Sequence, residues 1–131
     1  MKDAKKTSFE VLGYRVEIGD GVCRVGSAPE ASIKVKIGDK IVHKVADGNG
    51  PVNALDRAMR KALSPVYPCL KRIHLVDYWV RITNGKSGTA AEVEVLIEFS
   101  DGKSNWITKA SSTDIIRASF RALEAGLREK I

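Results

Sequence analysis

Residues 1–67 lie over residues 65–131 without a gap. At this offset of 64, Tyr14 meets Tyr78, Val16 meets Val80, Ile18 meets Ile82 and Gly21 meets Gly85. Glu30, Ile33, Gly38 and Ala46 then meet Glu94, Ile97, Gly102 and Ala110. Ala54, Arg57, Ala58 and Leu63 meet Ala118, Arg121, Ala122 and Leu127. Twelve of the 67 pairs are identical, where average composition gives roughly four. The period is too long, and the copies too few, for a solenoid. A single domain with internal pseudo-two-fold symmetry is expected over residues 8–131. Its units span about 8–66 and 71–130, behind a polar tail at 1–7.

Each unit reads as three strands and a helix. Phe9–Ile18 alternates as a strand does and ends at Gly19-Asp20-Gly21. Ala31–Ile37, the turn Gly38-Asp39 and Lys40–Ala46 form a hairpin signal. Asp47-Gly48-Asn49-Gly50 breaks the strand, and Pro51 opens a helix, where its missing N–H does no harm. Val52, Leu55, Met59 and Leu63 give that helix one apolar face, and Ser64-Pro65 stops it. The second unit repeats the pattern, with strands Ile73–Ile82, Ala90–Phe99 and Ser104–Ala110 and a loop at Gly85–Gly88. Ser111 to Asp114 supply capping oxygens to a helix buried along Ile116, Phe120, Leu123 and Leu127. The fold class is α+β: two βββα units, antiparallel sheets packed with two helices.

The length suits one domain. It excludes a self-sufficient barrel enzyme of about 250 residues, so a chain like this from a large enzyme would be a piece of one. No apolar run reaches the roughly 18–20 residues of a membrane span, and Met-Lys-Asp-Ala-Lys-Lys lacks the apolar core of a signal peptide. A cytoplasmic protein with no membrane partner is expected. The net charge of +6 raises nucleic acid as a partner. However, Lys34 and Lys36 alternate with Ile33, Val35 and Ile37 as the wet side of a strand. Lys2, Lys5 and Lys6 lie in the tail, and Arg57, Arg60 and Lys61 on a polar helix face. Solvated faces, and no nucleic acid, are the preferred reading. Cys23 and Cys69 lack CxxC partners, and His43 and His74 lack ligands at metal spacing. Reduced thiols, no metal and no cofactor are expected in this chain.

Both helices start at small residues, Gly48-Asn49-Gly50-Pro51 and Ser111-Ser112-Thr113. Free N–H groups and partial positive charge there suit a carboxylate or phosphate. The plainer reading is that helices need starts and such loops are usually connections. No Ser/His/Asp set or carboxylate pair has catalytic spacing.

The stretch Asp47–Leu63, DGNGPVNALDRAMRKAL, carries a resemblance, as do Tyr67-Pro68, Ile73-His-Leu-Val-Asp-Tyr78, Val80-Arg81-Ile82 and Gly88-Thr-Ala-Ala91. Val95-Leu-Ile-Glu98, Asp101-Gly102, Trp106, Thr108 and Ser112–Ser119 extend it. From Ser8 to about Leu127 the chain resembles the C-terminal regulatory domain of the 2-isopropylmalate synthase and citramalate synthase family, nearer the citramalate branch. It departs at Ile107 and Ala110, where family members usually carry glycine. The resemblance implies two βββα units, a homodimer, and a bound end-product amino acid, isoleucine or leucine. Binding would inhibit a linked barrel that condenses acetyl-CoA with a 2-oxo acid in branched-chain amino acid biosynthesis. Divalent metal and acetyl-CoA would belong to that barrel alone, so this chain by itself is expected to be no enzyme.

The resemblance also implies an effector pocket. Gly48, Asn49, Gly50, Pro51, Val52 and Asn53 would meet the effector's polar end. Leu75, Tyr78 and Ile82 would enclose its side chain; Gly88, Thr89 and Ala90 would form a second wall, and Ala110, Ser111 and Ser112 the last. Leu75 and Ile82 also read as plain strand core. Strict alternation puts Leu75 and Tyr78 on opposite faces, so a joint role requires a bulge near Asp77. Two alternatives stand beside the sensor: a dimerisation scaffold without ligand, and a basic RNA-binding α+β module.

Overall fold

The computed structural model describes residues 9–18, 29–83 and 85–131. The polar tail, the Gly19-Asp20-Gly21 break, Cys23, and Lys2, Lys5 and Lys6 lie outside the described residues. The chain divides into two compact units, residues 1–68 and 69–131. The first holds β1 (Phe9–Glu17), β2 (Glu30–Ile37), β3 (Lys40–Asp47) and α1 (Pro51–Leu63). The second holds β4 (His74–Ile82), β5 (Val93–Ser100), β6 (Asn105–Ser112) and α2 (Ile115–Arg128). Each unit has an antiparallel sheet with its middle strand, β2 or β5, at the centre. The α+β reading with a doubled βββα pattern holds.

The offset of 64 extends to the irregularities. β1 slips register against β2 between Val11 and Gly13, and β4 slips against β5 between Leu75 and Asp77. Tyr14 pairs with Ile33 as Tyr78 pairs with Ile97. The hairpin turns fall at Gly38 (φ 61°) and Gly102 (φ 92°), left-handed backbone that glycine adopts without penalty.

Each helix buries a small-residue stripe. In α1 it is Ala54, Ala58 and Ala62, beside Leu55, Met59 and Leu63. In α2 the same positions hold Ala118, Ala122 and Gly126, beside Ser119, Leu123 and Leu127. Small side chains at this spacing let a helix lie close on its sheet. α1 packs on β2 and β3, and α2 on β5 and β6. The cores follow: Ala31, Ile33 and Val35 under α1, and Val95, Ile97 and Phe99 under α2, all at most 1 % exposed.

Two sequence expectations need correction. Pro68–Arg72 is a 3-10 turn where no element was expected. Gly85–Ala90 is also 3-10, so the strand expected from Ala90 begins at Val93. The small apolar run Ala90-Ala91 mimics strand alternation. The backbone instead turns at Gly88 (φ 61°, ψ −130°), and Ala91 N–H donates to its carbonyl at 3.0 Å.

Candidate effector site

In the first unit, the predicted residues form the start of α1. Gly48 is buried, and its N–H donates to Pro29 O at 3.0 Å. A Cβ on Gly48 would overlap the backbone N and Cα of Ala54. Its smallness therefore serves its own helix. Gly50, the N-cap, is in extended backbone (φ −163°), and a Cβ there would meet nothing within 4 Å. Among the described residues, nothing crowds Gly50 on that side. Asn53 reaches back, its Oδ1 accepting from Asn49 N–H at 2.9 Å, which pins the loop. No side chain caps α1, and its first turn, opened by Pro51, carries no acid. The half-buried Val52 flanks this positive end, which no described side chain compensates.

The two helix starts differ here. At α2, Asp114 accepts from Ile116 N–H at 2.9 Å and Arg117 N–H at 3.2 Å, while its own N–H donates to Ser112 Oγ. Ser111 and Ser112, expected in the loop, are the last residues of β6 because their backbone continues the ladder with β5. Of the capping oxygens expected from Ser111 to Asp114, the one that caps α2 is that of Asp114. Those donors are consequently taken, which corrects the expectation of two anion-friendly starts: among the described helices, the open one is α1.

In the second unit, the bulge at Val76 sets the geometry. Register pairs Leu75 with Phe99, Tyr78 with Ile97, Val80 with Val95 and Ile82 with Val93. Their partners on β5 all face α2. The extra residue thus brings Leu75 and Tyr78 to one face, as the expected bulge requires. α2 lies over β5 and β6, so this face of β4 stays partly open: Tyr78 is 38 %, Val80 39 % and Ile82 62 % exposed. Val80 belongs to the strip although sequence reasoning passed over it; the alternation running through Tyr78 and Ile82 would have found it.

Ala110 pairs with Val95 and Ser112 with Val93, so both share this face with Val80 and Ile82. Gly88, Thr89 and Ala90 are exposed in the turn between β4 and β5, at the Ile82 end. Ile107 pairs with Glu98 on the opposite face and is 57 % exposed. Of the two non-glycine positions in the β6 segment, only Ala110 directs a Cβ toward the strip. Tyr78 Oη lies 2.8 Å from Ser119 Oγ, tying the open strand to a fully buried residue of α2. Sequence reasoning passed over Ser119 too. Its signal was a polar residue inside the apolar stripe of α2.

Elsewhere, Glu94 on the outer sheet face receives Arg81 Nε at 2.7 Å and has Lys109 Nζ at 3.7 Å. Glu94 is itself buried, while Arg81 and Lys109 reach it from solvent. An open groove on the outer face of the first sheet, lined by Gly13, Arg15, Ser32, Lys34 and His43, contains no predicted site residue. Cys69 is a free thiol with Sγ 3.5 Å from Lys130 O. Among the described residues, no three His, Cys, Asp or Glu side chains are placed to hold a metal ion. No described helix is long and apolar enough to cross a membrane.

The profile of the LeuA allosteric (dimerisation) domain matches residues 1–131. The chain belongs to this family. It is 46 % identical over 125 residues to an (R)-citramalate synthase of Geobacter sulfurreducens, covering 94 % of this chain and 23 % of the relative. An (R)-citramalate synthase of Aquifex aeolicus is 44 % identical over 128 residues, covering 96 % and 24 %. A 2-isopropylmalate synthase of Methanocaldococcus jannaschii is 35 % identical over 101 residues, covering 77 % and 18 %. The chain thus spans about a quarter, or less, of the relatives it matches. As a LeuA allosteric domain it carries the two sets of predicted residues in different units: Gly48–Asn53 in the first, and Leu75, Tyr78, Ile82, Gly88–Ala90, Ala110 and Ser112 in the second.

Proposed function

We propose that this domain binds a branched-chain amino acid, isoleucine or leucine, and reports its level as a homodimer to the catalytic barrel of a cytoplasmic citramalate synthase-like acyltransferase. The observation carrying this reading is the half-exposed strip Leu75, Tyr78, Val80 and Ile82, which a bulge aligns on one face and α2 leaves uncovered. An apolar wall with one aromatic ring suits a branched aliphatic side chain. Taken by itself, the first unit has at the start of α1 a helix end that no described side chain caps, of the kind that suits a carboxylate. The citramalate synthase relatives support the host reaction. Acetyl-CoA and a divalent metal would serve the catalytic barrel, and this chain alone would have no acyltransferase activity. Inhibition would follow from unequal affinity: the effector favours one dimer arrangement, and the linked barrels lose activity.

Calorimetric titration with isoleucine, leucine and valine tests the reading. Saturable binding of one of them, weakened in Tyr78→Ala without loss of folding, is the expected result. No heat and no thermal shift at millimolar ligand would overturn it. One observation favours a second reading, a dimerisation scaffold without ligand: the Ala110 methyl stands on the strip's face, where it takes up space in line with Val80 across Val95. A dimer by light scattering with silent titrations would select that reading.

A further inference from the structure

Ser119 is 0 % exposed, and among the described residues its hydroxyl has one hydrogen-bonding neighbour, Tyr78 Oη at 2.8 Å. A buried O–H left without an acceptor is costly, so buried hydroxyls donate where they can. Either hydroxyl can donate in this contact; donation from Ser119 is the arrangement that leaves no buried O–H without an acceptor among the described residues. Tyr78 is 38 % exposed. In that arrangement its own proton is directed away from α2, toward the open side of the β4 strip. The contact also fixes the ring, since a tyrosine anchored at its hydroxyl loses the swing about χ1 that an exposed strand residue otherwise has.

The repeat sharpens the point. Tyr14 holds the place of Tyr78 in the first unit, pairing with Ile33. The helix position corresponding to Ser119 is Leu55, which has no hydroxyl. The serine is therefore not a requirement of the βββα fold. Leucine fills that position on the apolar stripe of α1, and α2 forgoes its apolar burial for a polar contact to the open strand.

We propose that Ser119 is a positioning residue for ligand binding: it holds the Tyr78 ring against the strip and leaves the phenolic O–H, at the edge of the apolar wall, as a donor to the carboxylate of the bound amino acid. This rests on the effector-site reading above. The test is calorimetric titration of the wild-type domain, Ser119→Ala, Tyr78→Phe and the double variant with isoleucine, leucine and valine. Loss of one hydrogen bond weakens binding about two- to tenfold. Each single variant is expected to lose that much, and the double variant no more than one single variant, because the two hydroxyls act as one device. Ser119→Ala is also expected to narrow the preference of the site among the three amino acids. A merely structural serine would lower the melting temperature and leave both affinity and preference unchanged.

Wild-type affinity in Ser119→Ala, beside a weakened Tyr78→Phe, would overturn the proposal and leave the effector reading intact. Additive losses in the double variant would overturn it as well. A wild-type domain that takes up no amino acid would overturn the effector reading itself, and this inference with it.

Discussion

Gly126 shows how a single atom sets the spacing of helix and sheet. A Cβ there would overlap the ring of Phe99, which stacks on Trp106 with ring centroids 5.8 Å apart. The Trp106 indole N–H donates to the Gly126 carbonyl at 3.1 Å, so one residue meets the sheet through both its missing side chain and its backbone. Gly126→Ala gains helix propensity of about 1 kcal/mol but overpacks a rigid aromatic pair, costing about 1–3 kcal/mol or more. Net destabilisation is expected in urea unfolding; a more stable variant would show that Phe99 yields freely. Asp101 works by charge. Its carboxylate accepts from the N–H groups of Ser104 and Lys103, both at 2.9 Å, and Lys130 Nζ lies 3.7 Å away. These backbone bonds first, and the Lys130 charge after them, hold its pKa below the ordinary 3.8. A depressed folded pKa means stability that is present above the unfolded value and lost as pH falls through the folded one. Asp101→Asn should thus be less stable than the parent near neutrality and lose less between neutral pH and about pH 2. Parallel stability curves for the two proteins in acid would refute the assignment.

At the scale of elements, the two helix starts separate structure from function. α2 is closed by Asp114, whose carboxylate accepts two N–H groups of the first turn. Asp114→Ala should cost about 1 kcal/mol of stability and leave amino acid affinity within about twofold, read by denaturation and calorimetry together. A collapse of affinity would mean that the start of α2 belongs to the site. The strands, hairpins and helices were legible because each carries its own signal: period two at Ala31–Ile37, period 3.6 at Leu55, Met59 and Leu63, and glycine at each tight turn. The bulge at Val76 was legible only as a condition on Leu75 and Tyr78, since no local pattern marks an extra residue. The turn at Gly88 was misread because glycine permits a conformation without announcing it, and Ala90-Ala91 fits a strand equally well. Val80 and Ser119 depended on which strand the helix leaves uncovered, a fact of packing rather than of sequence period.

For the whole molecule, size is the governing quantity. A unit of about 64 residues buries a smaller share of its surface than a typical domain, and cores this small supply only about 3–5 kcal/mol. Each helix covers two strands of three, and Leu12, Ile41, Val76, Trp79, Val80, Ile82 and Ile107 remain between 39 % and 63 % exposed. Edge strands β1, β3, β4 and β6 also present backbone groups that pairing in each sheet does not use. Apolar area left outside is what a second copy can bury, and the proposed homodimer gives it a use. If association supplies part of the folding energy, stability follows mass action: a hundredfold rise in protein concentration adds about 2.7 kcal/mol per dimer. Unfolding two chains of 131 residues releases enough entropy that this amounts to about 5 °C in Tm. Calorimetric scans over that concentration range should show the rise, with a mass by light scattering of twice 14.3 kDa throughout. A constant Tm together with monomer mass would refute the homodimer. The effector amino acid should raise Tm further only in samples that are dimeric, since it acts by favouring one arrangement of two copies.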